Sequence, residues 1–404
     1  MHSIIQVAYS HNKIYNQTMN KLPTNWKEVK LGDIIDIIMG QSPKSQFYNK
    51  DKEGMPFLQG SSTFGHLYPS FEVYSNDIKK IAVNGSVLMS VRAPVGDLNM
   101  ANTDICIGRG LCSINGKNKS LNRYIFYLLN YYKAKIVNIQ TGTVFGAISK
   151  DNILNFKVSI PQSEDEQKRI ASILSSFDDK IELNNKTNKI LEEMAQTIFE
   201  EWFINFNFPN ANGKPYKKSG GEMINSELGG IPKGWKVGIL DDIINIESGK
   251  RPNVSSKNMT TEYNIPIYGA SSQIGYTNSV LFNEKILITG RVGTHGIVQR
   301  INFPCWASDN TFVIRSKFHE YTYQNLKRID YINLNRGTTQ PLIVQSDIKK
   351  VKILLNDKII NQYENLTSSL WELWHKNIFE NEKLSGIRDS LLPKLMAGEI
   401  RAKK

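Results

Sequence analysis

The sequence predicts an α+β protein in which two similar globular α/β bodies are each followed by a long helix. The first observation is a repeat, because LPTNWKEVKLGDI at residues 22–34 returns as IPKGWKVGILDDI at residues 231–243. The second is a basic charge shared between two stretches, and the third is a helical period of apolar residues after each copy. A chain of 404 residues is long enough for two such domains.

The repeat continues through both bodies. Residues 23–43 and 232–252 are identical at ten of 21 positions, among them the glycines Gly40 and Gly249. Three further pairs of segments match: PFLQGSSTFG (56–65) with PIYGASSQIG (266–275), VLMSVR ending at Arg92 with ILITGR ending at Arg291, and GTVFGAISKDNI (142–153) with GTTQPLIVQSDI (337–348). The alignment predicts that Arg92 and Arg291 are equivalent residues.

The net charge of +12 lies mostly in the two bodies. Residues 19–163 hold 17 basic and 10 acidic side chains, a net charge of +7, and residues 228–356 hold 16 and 9, also +7. The stretch 164–201 has a net charge of −5. Basic bodies attract phosphate, which favours a nucleic-acid partner, although dispersed solvated lysines would give the same total.

Apolar residues recur at alternating spacings of three and four after each body, which predicts a central helix over 164–204 and a C-terminal helix over 357–404. Pro393 is expected to stop the second helix. The expected seam residues are Ile170, Leu174, Phe177, Ile181, Asn184, Asn188, Leu191 and Ile198, then Leu366, Leu370, Leu373, Asn377, Leu384, Ile387 and Leu391. The asparagines either mark a local break in each seam or meet across the helices and fix their register.

Two other stretches complete the predicted domain order. Residues 205–227 are rich in Gly, Asn and Pro, which predicts a linker between the halves. Residues 1–18 are either a loose N-terminal extension or the product of an upstream start, because Met19 stands just before the first copy. No apolar run reaches 18 residues, so the sequence predicts no membrane span.

The chain lacks the motifs that catalysis usually requires. It has no phosphate-binding loop, no HExxH and no GxSxG, and its six histidines have no metal-ligand spacing. Cys106, Cys112 and Cys305 form no CxxC pair, which argues against structural zinc and for a reducing, cytoplasmic setting. A duplicated, basic chain of this kind is predicted to be a binding protein with no metal and no cofactor of its own.

Four stretches together resemble the DNA-specificity (S) subunits of type I restriction–modification systems, over about residues 19–404. The paired openings are similar to the start of each domain in that family. The other stretches are SIPQSEDEQKRIASILSSFDDKIELNNK (159–186), LEEMAQTIFEEWFINFNFP (191–209) and IRDSLLPKLMAGEIR (387–401). The second copy departs at LNDKIINQYENL (355–366), which lacks the Pro-Pro and the Glu-Gln pair of the family.

The resemblance implies a function and partners. Residues 19–163 and 228–356 would be target-recognition domains, each of which reads one half of a bipartite, asymmetric site in double-stranded DNA. The two helices would pack antiparallel as a coiled coil, set the spacer and dock two adenine methyltransferase (M) subunits, which bring S-adenosylmethionine. Motor-nuclease (R) subunits can join to cleave unmodified DNA. The S subunit itself would catalyse nothing.

Base readout needs forked or bidentate groups on loops. The candidate DNA-binding residues are Gln41, Lys44, Ser61, Ser62, Thr63, Arg92 and Thr143 in the first body, and Lys250, Arg251, Ser271, Ser272, Gln273, Arg291, His295, Arg336 and Gln340 in the second. Each has an alternative interpretation: a framework arginine paired with a carboxylate, a solvated turn, a serine that caps a helix or holds phosphate, or a structural histidine.

Two other functions also fit the residues. One is a freestanding, duplicated DNA-binding regulator, and the other is a fragment of a single-chain restriction–methylation enzyme. The aromatic residues Phe199, Phe203, Trp371 and Trp374 favour the specificity subunit if they form a docking face, whereas core packing would explain them equally well.

Overall fold

A computed structural model of the protein describes residues 23–139, 146–337 and 341–402. The extension expected at residues 1–18 lies outside these ranges. Unit 1 takes the described residues up to Lys186 together with those from Ile378 onward, and unit 2 takes Thr187–Asn377. Each unit therefore combines one body with segments of both long helices, so the units do not follow the linear order of the sequence.

The described ranges hold the following elements. The strands are β1 (Trp26–Lys30), β2 (Ile35–Met39), β3 (Tyr48–Asn49), β4 (Met55–Leu58), β5 (Tyr74–Ser75), β6 (Ile81–Ala82), β7 (Val87–Ser90), β8 (Leu98–Met100), β9 (Ile105–Ile107), β10 (Leu111–Gly116), β11 (Lys157–Pro161), β12 (Met223–Ser226), β13 (Gly229–Pro232), β14 (Lys236–Ile239), β15 (Ile244–Ser248), β16 (Ile265–Tyr268), β17 (Gln273–Thr277), β18 (Ile286–Gly290), β19 (Val298–Ile301), β20 (Trp306–Ala307), β21 (Thr311–Ser316) and β22 (Lys352–Leu355). The helices are α1 (Leu31–Ile34), α2 (Asn122–Val137), α3 (Lys150–Asn155), α4 (Glu164–Phe199), α5 (His319–Lys327), α6 (Tyr331–Leu334), α7 (Gln345–Lys349) and α8 (Asp357–Met396). We call α4 the central helix and α8 the C-terminal helix.

The two bodies share one sheet topology. Unit 1 has a four-stranded antiparallel sheet in the order β2-β10-β7-β8, and unit 2 has one in the order β15-β21-β18-β19. In unit 1 β1 pairs with β11, and β4 runs parallel to β9; in unit 2 β14 pairs with β22, and β16 runs parallel to β20. The predicted internal repeat of two α/β bodies is confirmed.

Repeated residues keep the same structural roles in both copies. The carboxylate of Asp33 accepts a hydrogen bond from the backbone N–H of Lys30 at 3.0 Å, and Asp242 accepts one from Ile239 at 2.9 Å. Both carboxylates satisfy a backbone donor at the start of a short helical turn that links two strands. This shared cap explains why the aspartate recurs in the two openings.

The stretch expected to be a linker is a folded part of unit 2. Phe206 and Phe208 are buried against Trp235, with ring centroids 5.8 and 5.2 Å apart. Strand β12 pairs with β13. The composition was misleading because the glycines and asparagines form the turns, while the two phenylalanines between them carry the packing.

The long helices are antiparallel within each unit. In unit 1 the Asn184 side chain donates a hydrogen bond to Asn381 at 2.8 Å. In unit 2 Asn377 donates to Asn188 at 2.8 Å, and the hydroxyl of Tyr363 reaches the carbonyl of Ala195 at 3.1 Å. A residue further along the central helix thus contacts a residue nearer the start of the C-terminal helix, as expected for antiparallel helices. The seam asparagines of the two helices are hydrogen-bonded to each other.

The buried face of the C-terminal helix differs from the expected seam. Seam residues of the central helix are buried or half-buried, from Ile170 to Ile198. On the C-terminal helix, Leu366, Leu373 and Ile387 are 48%, 42% and 44% exposed. The expected Leu370, Leu384 and Leu391 are half-buried, and Asn377 is buried.

The seam prediction is wrong at Leu366, Leu373 and Ile387, because the buried face of the C-terminal helix includes a polar residue instead. Thr367 is fully buried, and its hydroxyl keeps a hydrogen bond there by donating to the carbonyl of Tyr363 at 2.8 Å. Trp371 is buried one turn further on. A seam predicted from the spacing of apolar residues does not include a buried threonine. The helix also runs past Pro393 to Met396, because a proline in the last turn removes only one backbone donor.

Candidate nucleic-acid interface

The loops that carry most candidate residues meet at one edge of each four-stranded sheet. In unit 1, β2 and β7 end where β10 and β8 begin, and the parallel strands β4 and β9 end at the same side. Unit 2 repeats this arrangement with β15, β18, β21, β19, β16 and β20. We call these two surfaces the loop edges: residues 40–44, 59–63, 91–97 and 108–110 in unit 1, and residues 249–252, 269–273, 291–296 and 308–310 in unit 2.

Backbone hydrogen bonds tie the loops of an edge to one another. In unit 1 the N–H of Gln41 donates to the carbonyl of Ile107 at 2.9 Å, and the N–H of Gly110 donates to Gln59 at 3.1 Å. The equivalent first bond in unit 2 runs from Lys250 to Ala307 at 2.9 Å. Side chains on these loops are therefore presented from a fixed backbone, which precise base contacts require.

A repeated glycine makes this close approach possible. A Cβ atom at Gly40 would lie 2.1 Å from the carbonyl oxygen of Gly108, and one at Gly249 would lie 2.2 Å from that of Ser308. No other residue fits at either place without moving the neighbouring loop. In unit 1 the glycine thus allows the turn after β2 to pack against the turn before β10. In unit 2 it allows the turn after β15 to pack against the turn before β21.

The structure corrects the expected equivalence of Arg92 and Arg291. The N–H of Val91 donates to Gly110 at 2.8 Å, whereas the bond with the same place in unit 2 starts from Arg291 and reaches Asn310 at 2.9 Å. Arg291 therefore corresponds to Val91, and Arg92 corresponds to the residue after Arg291. Adjacent residues of an extended chain point to opposite sides, so the two arginines do not play one shared role.

The other candidates of unit 1 lie mostly on its loop edge. Gln41, Lys44, Ser62 and Arg92 are exposed there, and Thr63 is half-buried. The hydroxyl of Ser61 donates to the carboxylate of Asp97 at 3.1 Å, so it is held by the protein. Thr143 lies outside the described residues.

In unit 2 the candidates divide into two groups. Lys250, Arg251, Ser271, Ser272 and Gln273 are exposed on the loop edge. The second group is Arg291, which is half-buried, together with His295, Arg336 and Gln340.

Two members of the second group have contacts within the protein. The guanidinium of Arg336 donates to both carboxylate oxygens of Asp347, at 2.8 and 2.5 Å, which supports the interpretation as a framework arginine. The Nδ1 atom of His295 lies 3.3 Å from the carbonyl of Gly290, and the side chain is half-buried. Gln340 is not among the described residues.

Sequence reasoning missed two exposed charged residues on the loop edges. Arg109 lies between Gly108 and Gly110, and its backbone N–H donates to the hydroxyl of Ser42 at 3.2 Å. Asp309 occupies the same turn of unit 2 and is also exposed. No matched motif pointed to them, because the turns differ at every position; the available signal was the Gly-Arg-Gly sequence directly after a buried strand.

A buried carboxylate on the central helix anchors the body of unit 1. Asp178 accepts a hydrogen bond from the hydroxyl of Tyr127 at 2.5 Å, lies 2.9 Å from Nε2 of His66 and pairs with Arg388 of the C-terminal helix. Burial opposes ionisation of Asp178, but the hydrogen bonds of His66 and Tyr127 and the charge of Arg388 outweigh it and hold its pKa below the ordinary value.

Unit 2 has a corresponding anchor at Glu192. This carboxylate accepts hydrogen bonds from Tyr323 at 2.7 Å and Lys327 at 2.8 Å and pairs with Arg300. Burial raises the pKa of Glu192, but the charge of Arg300 and these hydrogen bonds outweigh it and hold the pKa below its ordinary value. The Arg300 guanidinium stacks on Trp371, 3.1 Å from the ring centroid.

The aromatic residues considered as a docking face are core residues. Phe199, Phe203 and Trp371 are buried within unit 2, and Trp374 packs on Trp371 with ring centroids 6.3 Å apart. The core-packing interpretation is therefore correct for Phe199, Phe203 and Trp371, and the half-buried Trp374 packs against that core.

Within the described ranges, no group of three or more His, Cys, Asp or Glu side chains is arranged to hold a metal ion. The three cysteines are buried and unpaired, and burial raises the pKa of Cys112 and of Cys305 to about 12. Among the helices that the structure describes, none has the length and apolar character needed to cross a membrane.

Comparison with known proteins decides the family. The profile of the type I restriction modification DNA specificity domain matches residues 23–193 and 232–362. The chain belongs to the type I restriction–modification DNA specificity family. Each matched region contains one body with its loop edge, and the earlier resemblance is confirmed.

One relative in this family matches nearly the whole chain, and another matches about half of it. The type I restriction enzyme MjaIX specificity subunit of Methanocaldococcus jannaschii is 28% identical, with 96% of each chain covered. The putative MjaX specificity subunit of the same organism is 42% identical over 194 residues, which are 47% of this chain and 45% of that one. These matches support DNA sequence recognition and give no support to a freestanding regulator.

One solved structure shares the fold. The crystal structure of a type I restriction-modification system S subunit from M. genitalium covers 93% of this chain and 97% of its own, with a TM-score of 0.58 and 16% identity. At this identity the likeness shows that the two chains share a fold.

Proposed function

We propose that this chain is the sequence-recognition subunit of a type I restriction–modification complex and that each loop edge reads one half of a bipartite site in double-stranded DNA. The observation that carries the proposal is the repeated loop edge: equivalent backbone hydrogen bonds anchor its turns in both units, and the side chains on those turns differ. Gln41 and Ser42 stand where unit 2 has Lys250 and Arg251. Two different half-sites, and hence an asymmetric site, follow from this difference.

The chain catalyses neither methyl transfer nor DNA cleavage in this proposal. Two adenine methyltransferase subunits bind to the long helices and bring S-adenosylmethionine, and motor-nuclease subunits can join them. Exposed apolar side chains on the central helix support this docking, since Leu183 and Ile190 are 57% and 55% exposed. The complex acts in the cytoplasm, where its DNA substrate and the reduced state of its free cysteines are both expected.

The proposal is tested by reconstitution. The purified chain alone should bind double-stranded DNA and transfer no methyl group from S-adenosylmethionine. Addition of the methyltransferase subunits should produce adenine methylation confined to one sequence. Methylation of adenine by the lone chain would contradict the proposal, and so would methylation by the complex without sequence preference.

A further inference from the structure

We infer that Arg109 and Asp309 set opposite base preferences in the two half-sites: Arg109 donates to a guanine, and Asp309 accepts from the amino group of a cytosine. The inference rests on the proposed function and deepens it, because it assigns a preferred base to one side chain on each of the two DNA-reading surfaces.

The hydrogen bonds on either side of each turn establish that the two residues are equivalent. The N–H of Gly40 donates to Leu111 at 2.9 Å, and that of Gly249 donates to Thr311 at 3.0 Å. On the other side, Ile107 and Ala307 accept the matching bonds from the residues after these glycines. Three residues lie between the anchors in each unit, Gly108-Arg109-Gly110 and Ser308-Asp309-Asn310.

Both side chains are free to meet a ligand. Arg109 and Asp309 are exposed, and neither side chain has a hydrogen bond or an ion pair within the described part of the chain. Arg336 differs, because its Nε and Nη2 both donate to the carboxylate of Asp347. An exposed arginine or aspartate alone would be unremarkable, but here the two opposite charges stand at one place on a duplicated, hydrogen-bonded surface.

The backbone beneath Arg109 is fixed from two sides. Its own N–H donates to Ser42, whose hydroxyl in turn donates to the side-chain carbonyl of Gln59 at 2.8 Å. The next N–H, of Gly110, donates to the backbone carbonyl of Gln59. A guanidinium that starts from such a base loses little backbone freedom when it binds.

The chemistry of the two groups selects different base edges. An arginine fork matches the O6 and N7 acceptors of guanine, whereas a carboxylate accepts from N4 of cytosine. A carboxylate would be repelled by phosphate, so Asp309 on a basic body is poorly explained as a backbone contact. Its neighbouring turn compensates, since Lys250 and Arg251 supply two positive charges at the positions where unit 1 has the neutral Gln41 and Ser42.

The test uses the full chain assembled with its methyltransferase subunits and a random double-stranded DNA library. Arg109→Ala should change the preferred base in one half-site only, and Asp309→Asn should change it in the other half-site only. Binding to the original base relative to its competitors should fall by about 5- to 150-fold in each case, the range that corresponds to about 1–3 kcal/mol.

Two further variants separate base readout from general charge. Arg109→Lys keeps the charge but not the fork, so it should retain affinity for DNA and lose the base preference. Lys117→Ala is the control, because Lys117 is an exposed cation just beyond the far end of the strand that starts at Leu111; this variant should leave both half-sites unchanged.

The outcomes are distinguishable. If Arg109→Ala weakens binding to all sequences equally and reduces the salt dependence, Arg109 contacts phosphate and the inference is wrong. The inference also fails if the wild-type complex selects a bipartite site that neither substitution alters. If the wild-type complex selects no sequence at all, the proposed function itself fails.

Discussion

Arg251 is an exposed guanidinium in the turn after β15, at the position where unit 1 has Ser42. A hydroxyl and a forked cation prefer different base edges, so this position should distinguish the two half-sites. The effect of losing a bidentate contact to guanine is about 1–3 kcal/mol.

We therefore expect Arg251→Ala to change the selected bases in one half-site and to leave the other intact. Sequencing of DNA selected from a random library would measure both halves at once. A uniform loss of affinity on every sequence, with a smaller salt slope, would instead identify Arg251 as a phosphate contact.

Glu364 lies in unit 2, where its carboxylate accepts the backbone N–H of Tyr321 at 2.7 Å. Burial raises its pKa from 4.5 to about 7. Because the folded-state pKa lies above the unfolded one, its contribution to stability is fully present below pH 4.5 and is lost as the pH rises through 7.

Replacement of this carboxylate by a neutral amide should remove the loss of stability at high pH. Glu364→Gln is expected to be more stable than the wild type at pH 8, by on the order of 1–2 kcal/mol, and to lose the advantage near pH 5. Thermal unfolding at the two pH values would test this. An equal difference in Tm at both pH values would show that Glu364 does not titrate between them.

Individual residues could be predicted from the sequence where the local backbone geometry requires the same residue type in both copies. The aspartate caps and Gly40 with Gly249 were visible in the repeat because their roles depend on local backbone geometry. The pairing of Arg92 with Arg291 is wrong, because the two copies are offset by one residue at this point. The offset is visible only in the backbone hydrogen bonds, whereas the sequence shows an arginine at the end of both segments. Arg109 and Asp309 were missed because residues that make two surfaces different cannot appear as matches.

Among the elements, the two long helices meet in unit 2 at a buried asparagine pair. Asn377 donates to Asn188, which donates to the carbonyl of Trp374 at 3.2 Å. Loss of one partner leaves the other buried without its hydrogen bond, which costs about 1–3 kcal/mol. Replacement of both by apolar residues of similar size removes that penalty.

We expect Asn188→Leu to destabilise the protein by about 1–3 kcal/mol and the double variant Asn188→Leu/Asn377→Leu to recover most of the loss. Denaturant unfolding of the two single variants and the double variant measures this coupling. Additive losses in the double variant would show that the asparagines contribute independently.

Helix existence was predicted from sequence, but the buried face of the second helix was not. The central helix begins at Glu164 as expected, because its apolar period is regular. The C-terminal helix has several overlapping apolar stripes, and the buried one passes through Thr367, whose hydroxyl is satisfied by its own backbone. Tertiary packing, rather than the period, decides between such stripes.

For the whole molecule, the repeat was the decisive signal. Duplication predicted two bodies of one fold, and the strand orders of the two units confirm it. The units themselves could not be predicted from the linear order, because residues from Ile378 onward belong with the first body. Contacts between distant parts of the chain leave no local pattern in the sequence.

We propose that the bodies read the bases and that the two long helices set the distance between the two half-sites. The seam offers a matched place to test it: Asn184 pairs with Asn381 in unit 1, and Asn188 pairs with Asn377 in unit 2. We consider a variant with four residues inserted between Asn184 and Asn188 and four more between Asn377 and Asn381. These insertions lengthen each helix by about 6 Å and nearly preserve the rotation of the residues about the helix axis.

The most direct measurement is selection of bound DNA from a random library by the complex that contains this double insertion. We expect unchanged bases in both half-sites and a spacer longer by about two base pairs, since B-DNA rises about 3.4 Å per pair. An insertion in unit 1's exposed segment at residues 50–53, which lies outside the helices, should leave the spacer unchanged. An unaltered spacer with different half-site bases in the helix variant would contradict this role of the helices and place base recognition on them.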